Sequence, residues 1–242
     1  MGLSGKRVLV VGGGSGIGLA VAQGALAEGA RVTIASSNPE RVAAAAKGLG
    51  EGAEAATLDV TDEAAVAAFF EGAKPFDHIV TTAGDWGGPR RGALVDMDLA
   101  AAASVFRVRF WGALALAKHG GPKLPPGGSL TLTDGMIAHR PSKGSSVSTA
   151  MAGAIEHLTR GLAVELAPAR VNCVCPGLIR TGVWDTIPEA QRAERFEQMT
   201  RRQLVARIGE PAEVAEAYLY LMKSGYVTGQ VLQVDGGSSL GA

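Results

Sequence analysis

The chain has 242 residues, a length that suits one α/β domain or two smaller domains. Its 23 basic and 23 acidic residues balance without a basic cluster, so nucleic acid is not an expected partner. No run reaches the roughly 18 apolar residues that predict a membrane span. The first residues do not resemble a signal peptide. The two cysteines, Cys173 and Cys175, are expected to be reduced core residues, which fits a cytoplasmic protein.

Strand-like and helix-like segments alternate along the whole chain. The predicted strands are 6–11, 31–35, 54–58, 77–80, 128–133, 170–174 and 230–234. The predicted helices are 17–28, 39–47, 62–71, 99–119, 145–166, 189–202 and 213–223. This rhythm favours a parallel sheet with helices on both faces. We therefore expect an α/β fold with one domain over residues 1–242, a Rossmann-type doubly wound sheet of about seven strands.

A glycine-rich loop joins the first strand to the first helix. It consists of Gly12, Gly13, Gly14, Ser15, Gly16, Ile17 and Gly18. Glycines allow a tight turn and a close approach of the backbone to a pyrophosphate, which the N–H groups at the start of the helix would then face. The strand–loop–helix context predicts a dinucleotide-binding site. The alternative is a structural turn that happens to be rich in glycine.

The end of the second strand bears on the form of the cofactor. A site that prefers NAD usually has a carboxylate there to bind the ribose 2′-hydroxyl. This chain has Ser36, Ser37 and Asn38 instead, with Arg41 one turn into the next helix. Hydroxyl groups and a guanidinium can accept a 2′-phosphate that a carboxylate would repel. We predict NADP as the cofactor, with NAD as second choice, although plain helix capping also explains these residues.

With these features the chain resembles the single-domain short-chain dehydrogenases/reductases, over essentially its whole length. The family's T-G-x-x-x-G-x-G loop is present without its threonine. Four further family segments have counterparts, which are Asp59-Val60, Thr81-Thr82-Ala83-Gly84, Pro176-Gly177-Leu178-Ile179-Arg180-Thr181 and Val234-Asp235-Gly236-Gly237. Both asparagines of the second segment are replaced by threonine. The resemblance implies that the cofactor also contacts Asp59, Val60, Ala83, Gly84, Pro176, Gly177, Ile179 and Thr181.

The family's catalytic residues do not appear at their expected positions. The family uses a tyrosine whose pKa is lowered by a lysine four residues later on the same helix. Counting from the matching helix places Ser148 and Ala152 at these two positions, and no tyrosine occurs before residue 200. The family serine falls at Gly135 or Asp134, and the family asparagine falls at Arg109. All four members of the set are replaced.

Other residues are candidates for the missing role. Asp134 follows a strand at the carboxyl edge of the sheet, where ligands bind in this class of fold. His139 on the same loop could titrate near neutral pH, and Arg109 could hold an oxyanion. Ser148 could donate a hydrogen bond to a carbonyl. Each has a structural alternative: Asp134 could cap a turn and be neutralised by Arg109, and His139 could be an exposed loop residue.

Two further residues, Asp85 and Trp86, follow the fourth strand and are predicted to line the pocket. The segment 184–202 resembles the family's substrate lid. No metal site is expected, because the four histidines are scattered along the chain. The segments thus predict a site that binds a cofactor and a small-molecule substrate.

Two functions agree with this pattern. The first is an NADP(H)-dependent oxidoreductase that acts by hydride transfer on a small carbonyl, alcohol or activated alkene. The alternative is a catalytically inactive NADP(H)-binding sensor or assembly protein. Helices 99–119 and 145–166 resemble those that pair in the family, which implies a homotetramer, with a dimer as second choice. Their small residues, which allow close packing, are Ala113, Ala117, Ala150, Gly153 and Ala154.

Overall fold

A parallel β-sheet forms the centre of the computed structural model, which describes residues 2–84 and 92–241. In the described part of the chain the sheet has seven strands in the order β3-β2-β1-β4-β5-β6-β7. The strands are β1 Arg7–Val11, β2 Arg31–Ser36, β3 Ala53–Thr57, β4 His78–Thr81, β5 Ser129–Thr133, β6 Arg170–Pro176 and β7 Val231–Val234. The order reverses between β1 and β4, so the carboxyl ends of these two strands flank the crevice where such sheets bind ligands.

Helices cover both faces of the sheet. They are α1 Gly16–Ala27, α2 Pro39–Leu49, α3 Glu63–Gly72, α4 Leu99–Ala103, α5 Ala113–Gly120, α6 Ser146–Glu165, α7 Glu189–Thr200 and α8 Pro211–Lys223. Helices α1 and α8 pack closely on one face because Gly24 leaves room for the side chain of Leu219. Helices α3, α5 and α6 contribute to the core of the other face. The predicted doubly wound α/β fold is confirmed, and apart from helix 99–119 the strand and helix ends lie within a few residues of expectation.

The prediction of one long helix over residues 99–119 is wrong. The structure has the short helix α4, then a π-helical segment at Arg107–Gly112, and then α5. An alanine-rich sequence favours a regular helix, but contacts with the rest of the fold outweigh this preference in the segment before α5. A Cβ atom on Gly112 would lie 2.6 Å from Cγ2 of Val60, so the segment is held tightly against the loop after β3. π-Helical turns of this kind often occur at functional sites, and Arg109 lies within this one.

Two expectations about these helices need correction. By length and composition, the helical segment Leu99–Lys123 could span a membrane, with a mean hydropathy of 1.4, whereas no such segment was expected. This is weak support for a membrane location, because helices from the core of soluble proteins pass the same test. Ala113 and Ala117 were expected on an intersubunit face, but they are 3% and 1% exposed and belong to the chain's own core.

Candidate active site

The glycine loop after β1 forms a cradle that leaves no space for side chains. Gly12 and Gly16 have positive φ angles of 86° and 53°, which glycine adopts without strain. A Cβ atom on Gly12 would lie 2.6 Å from the backbone nitrogen of Ala83, and one on Gly18 would collide with the Gly12 carbonyl. The hydroxyl of Thr82 donates to the carbonyl oxygens of Val11 and Gly12, both at 3.3 Å. The loop is therefore shaped for a close approach of a ligand to its backbone.

The start of α1 lies open beside this cradle. Ser15 precedes the helix, is exposed, and makes no side-chain capping hydrogen bond. Ile17, at the second helical position, packs partly against the core below. The first backbone N–H groups of an α-helix have no partner within the helix and carry partial positive charge. These positions suit the pyrophosphate of a dinucleotide, and a cradle that a Cβ would fill is consistent with such a group.

Residues at the end of β2 cap the next helix. The hydroxyl of Ser36 accepts from the backbone nitrogen of Asn38 at 3.2 Å, and Oδ1 of Asn38 accepts from the backbone nitrogen of Arg41 at 2.8 Å. The capping role considered from the sequence is thus confirmed, and it is compatible with either cofactor. Arg41 is exposed, and its Cγ lies 3.4 Å from where a Cβ of Gly14 would be. The aliphatic part of the Arg41 side chain therefore packs beside the glycine loop.

The other motif segments reach the same edge of the sheet. Thr181 lies beside the glycine loop, with its Cγ2 3.2 Å from the place of a Gly16 Cβ. Gly177, which follows Pro176 at the end of β6, packs against the backbone of Asp235. Ile179 is buried and forms a bridge with Gly209. These contacts fix the loop after β6 so that Thr181 faces the cradle.

Asp59 and Val60 have mainly structural contacts. Oδ1 of Asp59 accepts from the backbone nitrogen and the hydroxyl of Thr61, at 2.9 and 2.8 Å. Val60 is buried against Gly112. Both residues lie where the chain leaves β3, beside β2 in the sheet. They shape the wall of the crevice, and the Asp59 side chain remains exposed on its rim.

A cavity of about 540 Å³ opens between α1 and the segment predicted as a lid. Its wall includes Gly16, Thr181 and Trp184. The lid forms a 3-10 turn at Gly182–Thr186 followed by α7. The Trp184 indole nitrogen donates to the Ile179 carbonyl at 2.7 Å, which ties the lid to the loop after β6. The segment therefore borders space next to the glycine cradle, and none of Asp134, His139, Arg109 and Ser148 is among the described residues that line this cavity.

Arg109 lies across the carboxyl ends of β4 and β5. A Cβ added to Gly84, three residues after β4, would lie 2.8 Å from a guanidinium nitrogen of Arg109. The other terminal nitrogen of Arg109 donates to the carbonyl oxygen of Asp134, directly after β5, at 2.9 Å. The π-helical segment thus places the guanidinium of Arg109 in the crevice, next to the motif residues Ala83 and Gly84. The predicted proximity of Arg109 and Asp134 is confirmed, although Arg109 contacts the main chain of Asp134.

Asp134 is 2% exposed, and neither of its carboxylate oxygens has a hydrogen-bond partner within the described residues. Burial, together with the nearby carboxyl of Glu156, raises the pKa of this carboxyl to about 8, against the lowering effects of Cys175 and Arg109. At neutral pH the group is therefore mostly a neutral carboxylic acid. A carboxyl with this pKa has a proton to donate at neutral pH.

His139 does not lie alone on its loop. Its Nε2 is 2.5 Å from Oε1 of Glu156 on α6, and its side chain is 31% exposed. The Glu156 side chain is 10% exposed. One donor atom each from Asp134, His139, Glu156 and Cys175 lies within 4.8 Å of the others. The expectation that no group of possible metal ligands would form is therefore wrong, because the fold brings distant residues together.

Sequence reasoning missed Glu156. It lies within the helix segment that set the alignment with the family, where it looked like an ordinary helical position. One signal was present: Glu156 lies one turn after Ala152 on the helix face that was expected to face the site, because residues four apart share a face. A glutamate on a buried helix face usually needs a partner. His139 is that partner in the structure.

The positions of the missing tyrosine and lysine are filled by small residues. Ser148 is half-buried in the first turns of α6, and Ala152 is 1% exposed. Tyr218 on α8 comes close to the site from below, since its hydroxyl lies 2.6 Å from that of Thr133. It is completely buried, and burial raises its pKa far above the usual range, so it does not replace the missing tyrosine. The predicted pocket residues Asp85 and Trp86 lie outside the described residues.

Comparisons with known proteins identify the family of this chain. The family model described as Enoyl-(Acyl carrier protein) reductase matches residues 12–239. The short-chain dehydrogenase/reductase malC of Malbranchea aurantiaca is 36% identical over 256 residues, which cover 98% of this chain and 96% of that protein. Galactitol 2-dehydrogenase (L-tagatose-forming) of Cereibacter sphaeroides is 35% identical, over 97% of this chain and 95% of that protein.

Solved structures give the same result. The structure of the MalC reductase/Diels-Alderase has a TM-score of 0.88 and 34% identity, with 98% of this chain and 96% of that one covered. A small-chain dehydrogenase crystallised in complex with NADPH has a TM-score of 0.84 and 36% identity. The match covers 98% of this chain and 100% of that one. The fold described above is thus shared with dehydrogenases and reductases over 98% of the chain.

Proposed function

Because the chain belongs to the short-chain dehydrogenase/reductase family of oxidoreductases, we propose that it is an NADP(H)-dependent reductase with a non-standard proton donor. The proposed substrate is a small carbonyl compound or activated alkene, or the corresponding alcohol in the reverse direction. A buried neutral acid and a cation at the ligand edge of the sheet, beside a glycine cradle, carry this proposal. A bound nicotinamide supplies the hydride.

Each part of the site has its own role in this proposal. The glycine loop and the start of α1 hold the pyrophosphate, and Arg41 with Ser37 holds the 2′-phosphate. Arg109 stabilises negative charge on the substrate oxygen, since it is already fixed in the crevice by Asp134. The carboxyl of Asp134 donates the proton that this oxygen needs. Ser148 helps to orient the substrate carbonyl, and the lid with Trp184 limits the access of water.

The test is the steady-state oxidation of NADPH against a panel of small aldehydes, ketones and enones. We expect turnover with at least one of them. The alternative function, an inactive NADP(H)-binding sensor or assembly protein, is favoured by Ser148 and Ala152 at the positions of the missing tyrosine and lysine. Tight binding of NADPH without turnover of any substrate would establish that alternative.

We expect Arg41→Ala to weaken NADPH binding about 10- to 100-fold and NADH binding much less, because a hydrogen bond to a charged group contributes about 1.5–3 kcal/mol. Fluorescence titration of both reduced cofactors measures the effect. Arg31→Ala is the matched control, since Arg31 is exposed at the opposite end of β2. Tighter binding of NADH than of NADPH by the wild-type protein would refute the assignment of NADP.

We also propose that the chain forms a homotetramer, with a dimer as the alternative. Apolar side chains before and within the π-helical segment are exposed, including Val95 at 91%, Leu99 at 75% and Trp111 at 59%. Exposed groups of this kind often mark an interface. Sedimentation should give four times the chain mass for the wild type and a smaller assembly for Trp111→Glu. A wild-type mass of one chain would refute both assemblies.

A further inference from the structure

Four side chains from separate parts of the chain meet at the carboxyl end of β5. Asp134 directly follows that strand, and His139 lies on the loop after it. Cys175 lies near the end of the neighbouring strand β6, and Glu156 lies on α6. One donor atom from each of the four lies within 4.8 Å of the donor atoms of the other three. Two strands and a helix thus hold most of this group in place before any ligand arrives.

The carboxyl of Asp134 is the member of this group that lacks a partner. The residue is 2% exposed, and neither of its side-chain oxygens has a hydrogen-bond partner in the part of the chain that the structure describes. Its main chain is well fixed, since its N–H donates to the carbonyl of Val174 at 3.1 Å and its carbonyl accepts from Arg109 at 2.9 Å. Buried oxygens without a partner are rare in folded proteins and often indicate a bound ion.

The mixture of donor atoms favours zinc over magnesium or calcium. Mg²⁺ and Ca²⁺ bind almost entirely to oxygen, whereas thiolate, imidazole and carboxylate are the three usual ligands of Zn²⁺. The group offers one sulfur, one nitrogen and two oxygens, which is the number that a tetrahedral zinc site needs. Two carboxylates and a thiolate around Zn²⁺ leave one negative charge, which the guanidinium of Arg109 beside Asp134 offsets.

The spacing of the donor atoms is close to what zinc requires. With bonds of about 2.0–2.3 Å, a tetrahedral zinc ion holds its donor atoms roughly 3.3–3.8 Å apart. Nε2 of His139 and Oε1 of Glu156 are 2.5 Å apart and have to separate slightly. His139 can move because it lies on a loop and its side chain is 31% exposed. The same exposure gives the ion a way in from solvent.

We propose that Asp134, His139, Glu156 and Cys175 bind a zinc ion, and that the bound ion inhibits reduction. Zinc takes the place of the proton on the Asp134 carboxyl and of the proton on the Cys175 thiol, and both protons pass to the buffer without any oxidation or reduction. The carboxylate of Asp134 then has no proton to give to a substrate. Zinc binding rests on the geometry alone, whereas the inhibition rests on the function proposed above, in which the metal-free protein is active.

Cobalt(II) is a spectroscopic probe for this site, and its use needs neither cofactor nor substrate. Titration of the metal-free protein with cobalt chloride should saturate at one ion per chain. The complex should show the visible absorption of tetrahedral cobalt and the near-ultraviolet charge-transfer band of a thiolate–cobalt bond. Zinc chloride should displace the cobalt, and excess magnesium chloride should not. A wild-type protein without the thiolate–cobalt band would overturn the proposal.

Cys175→Ser should abolish the thiolate–cobalt band, because the sulfur ligand is removed. Cys173→Ser is the matched control, since Cys173 is equally buried two residues earlier on β6 and lies outside the group of donor atoms. This control should keep the band of the wild type. Thermal melting by circular dichroism shows whether both variants are folded. A band that persists in Cys175→Ser would refute the assignment of the ligands.

His139→Ala tests a second ligand at a position where a substitution is less apt to disturb the fold. Loss of a group that only supports a ligand typically costs about 10–100-fold in metal affinity, so loss of the ligand itself should cost at least that much. Titration with zinc chloride in a calorimeter measures the affinity. His157→Ala should bind zinc as the wild type does, since His157 is exposed elsewhere on α6. Equal affinities of His139→Ala and the wild type would contradict the proposal.

The inhibition is measured in the assay of NADPH oxidation. One equivalent of zinc chloride should lower the wild-type rate by about 10²–10⁴-fold, the usual effect of losing a general acid. Addition of EDTA should restore the rate. The same amount of zinc should slow Cys175→Ser far less, relative to its own rate without zinc. Bound zinc that leaves the wild-type rate unchanged would rule out the inhibition.

The zinc site and the proposed function can fail separately. A wild-type protein that gives the thiolate–cobalt band but turns over no substrate refutes the proposed function, and the inhibition with it, while it supports the zinc site. Turnover that depends on Asp134 in a protein without this band keeps the proposed function and refutes the zinc site.

Discussion

Replacing Asp134 with asparagine should lower kcat for carbonyl reduction by about 10²–10⁴-fold, the usual effect of losing a general acid. The amide keeps the shape of the side chain but has no acidic proton. Cofactor affinity should stay within about two-fold, because the glycine cradle does not involve this residue. Stopped-flow kinetics with the best substrate of the panel measures the loss. Asp96→Asn is the control, since Asp96 is an exposed carboxylate in the 3-10 turn before α4.

The pH profile gives a second readout for Asp134→Asn. The wild-type rate of reduction should be constant below the Asp134 pKa of about 8 and fall about tenfold per pH unit above it, because the donor is then ionised. Oxidation of the alcohol should show the opposite limb, since it needs the carboxylate as a base. The asparagine variant should show neither limb. A wild-type rate that stays level up to pH 10 would contradict the role of Asp134.

Thermal stability distinguishes the loss of the proton donor in Asp134→Asn from misfolding of the variant. The fold raises the pKa of Asp134 from its ordinary value near 3.8 to about 8, so it favours the neutral carboxyl. The stability that this group contributes is fully present below pH 3.8 and is lost as the pH rises through 8. Asparagine cannot ionise, so the variant should have at least the melting temperature of the wild type at pH 8. A slower but equally stable protein separates chemistry from folding.

The part of the site that depends on short stretches of sequence could be predicted. The cradle from Gly12 to Gly18 lies between a strand and the helix that directly follows it, so its geometry is set by neighbours in the chain. The doubly wound form of the sheet was expected from the right-handed β–α–β connections. For the same reason Asp134 could be placed at the ligand edge, since it directly follows β5.

The relation between Asp134, His139 and Glu156 could not be predicted in this way. Glu156 lies on α6, and helical spacing puts it on the same face as Ala152 without showing that it meets His139. The break in the helix before α5 depends on the packing of Val60 against Gly112, residues that are far apart in sequence. Contacts between distant segments decide both features, and a single sequence without a structure does not contain them.

Arg109→Met should lower kcat for reduction by about 10²–10³-fold, because the substrate oxygen loses a fixed cation as negative charge develops on it. Methionine keeps most of the length and apolar surface of the side chain without its charge. Arg107→Met is the matched control, since Arg107 lies in the same π-helical segment but is exposed. Arg109→Lys should be intermediate, as it restores the charge without the planar fork that reaches the Asp134 carbonyl.

The pH profile of Arg109→Met separates a direct role of Arg109 in catalysis from a role in keeping the fold intact. The charge of Arg109 lowers the pKa of Asp134, although burial and Glu156 outweigh it. Removing that charge should therefore move the fall in the rate of reduction to higher pH than in the wild type. General damage to the fold would lower the rate at every pH without moving the limb toward alkali. An Arg109→Met enzyme that retains the wild-type kcat would show that the cation does not act on the substrate oxygen, and would leave Asp134 as the catalytic residue of the crevice.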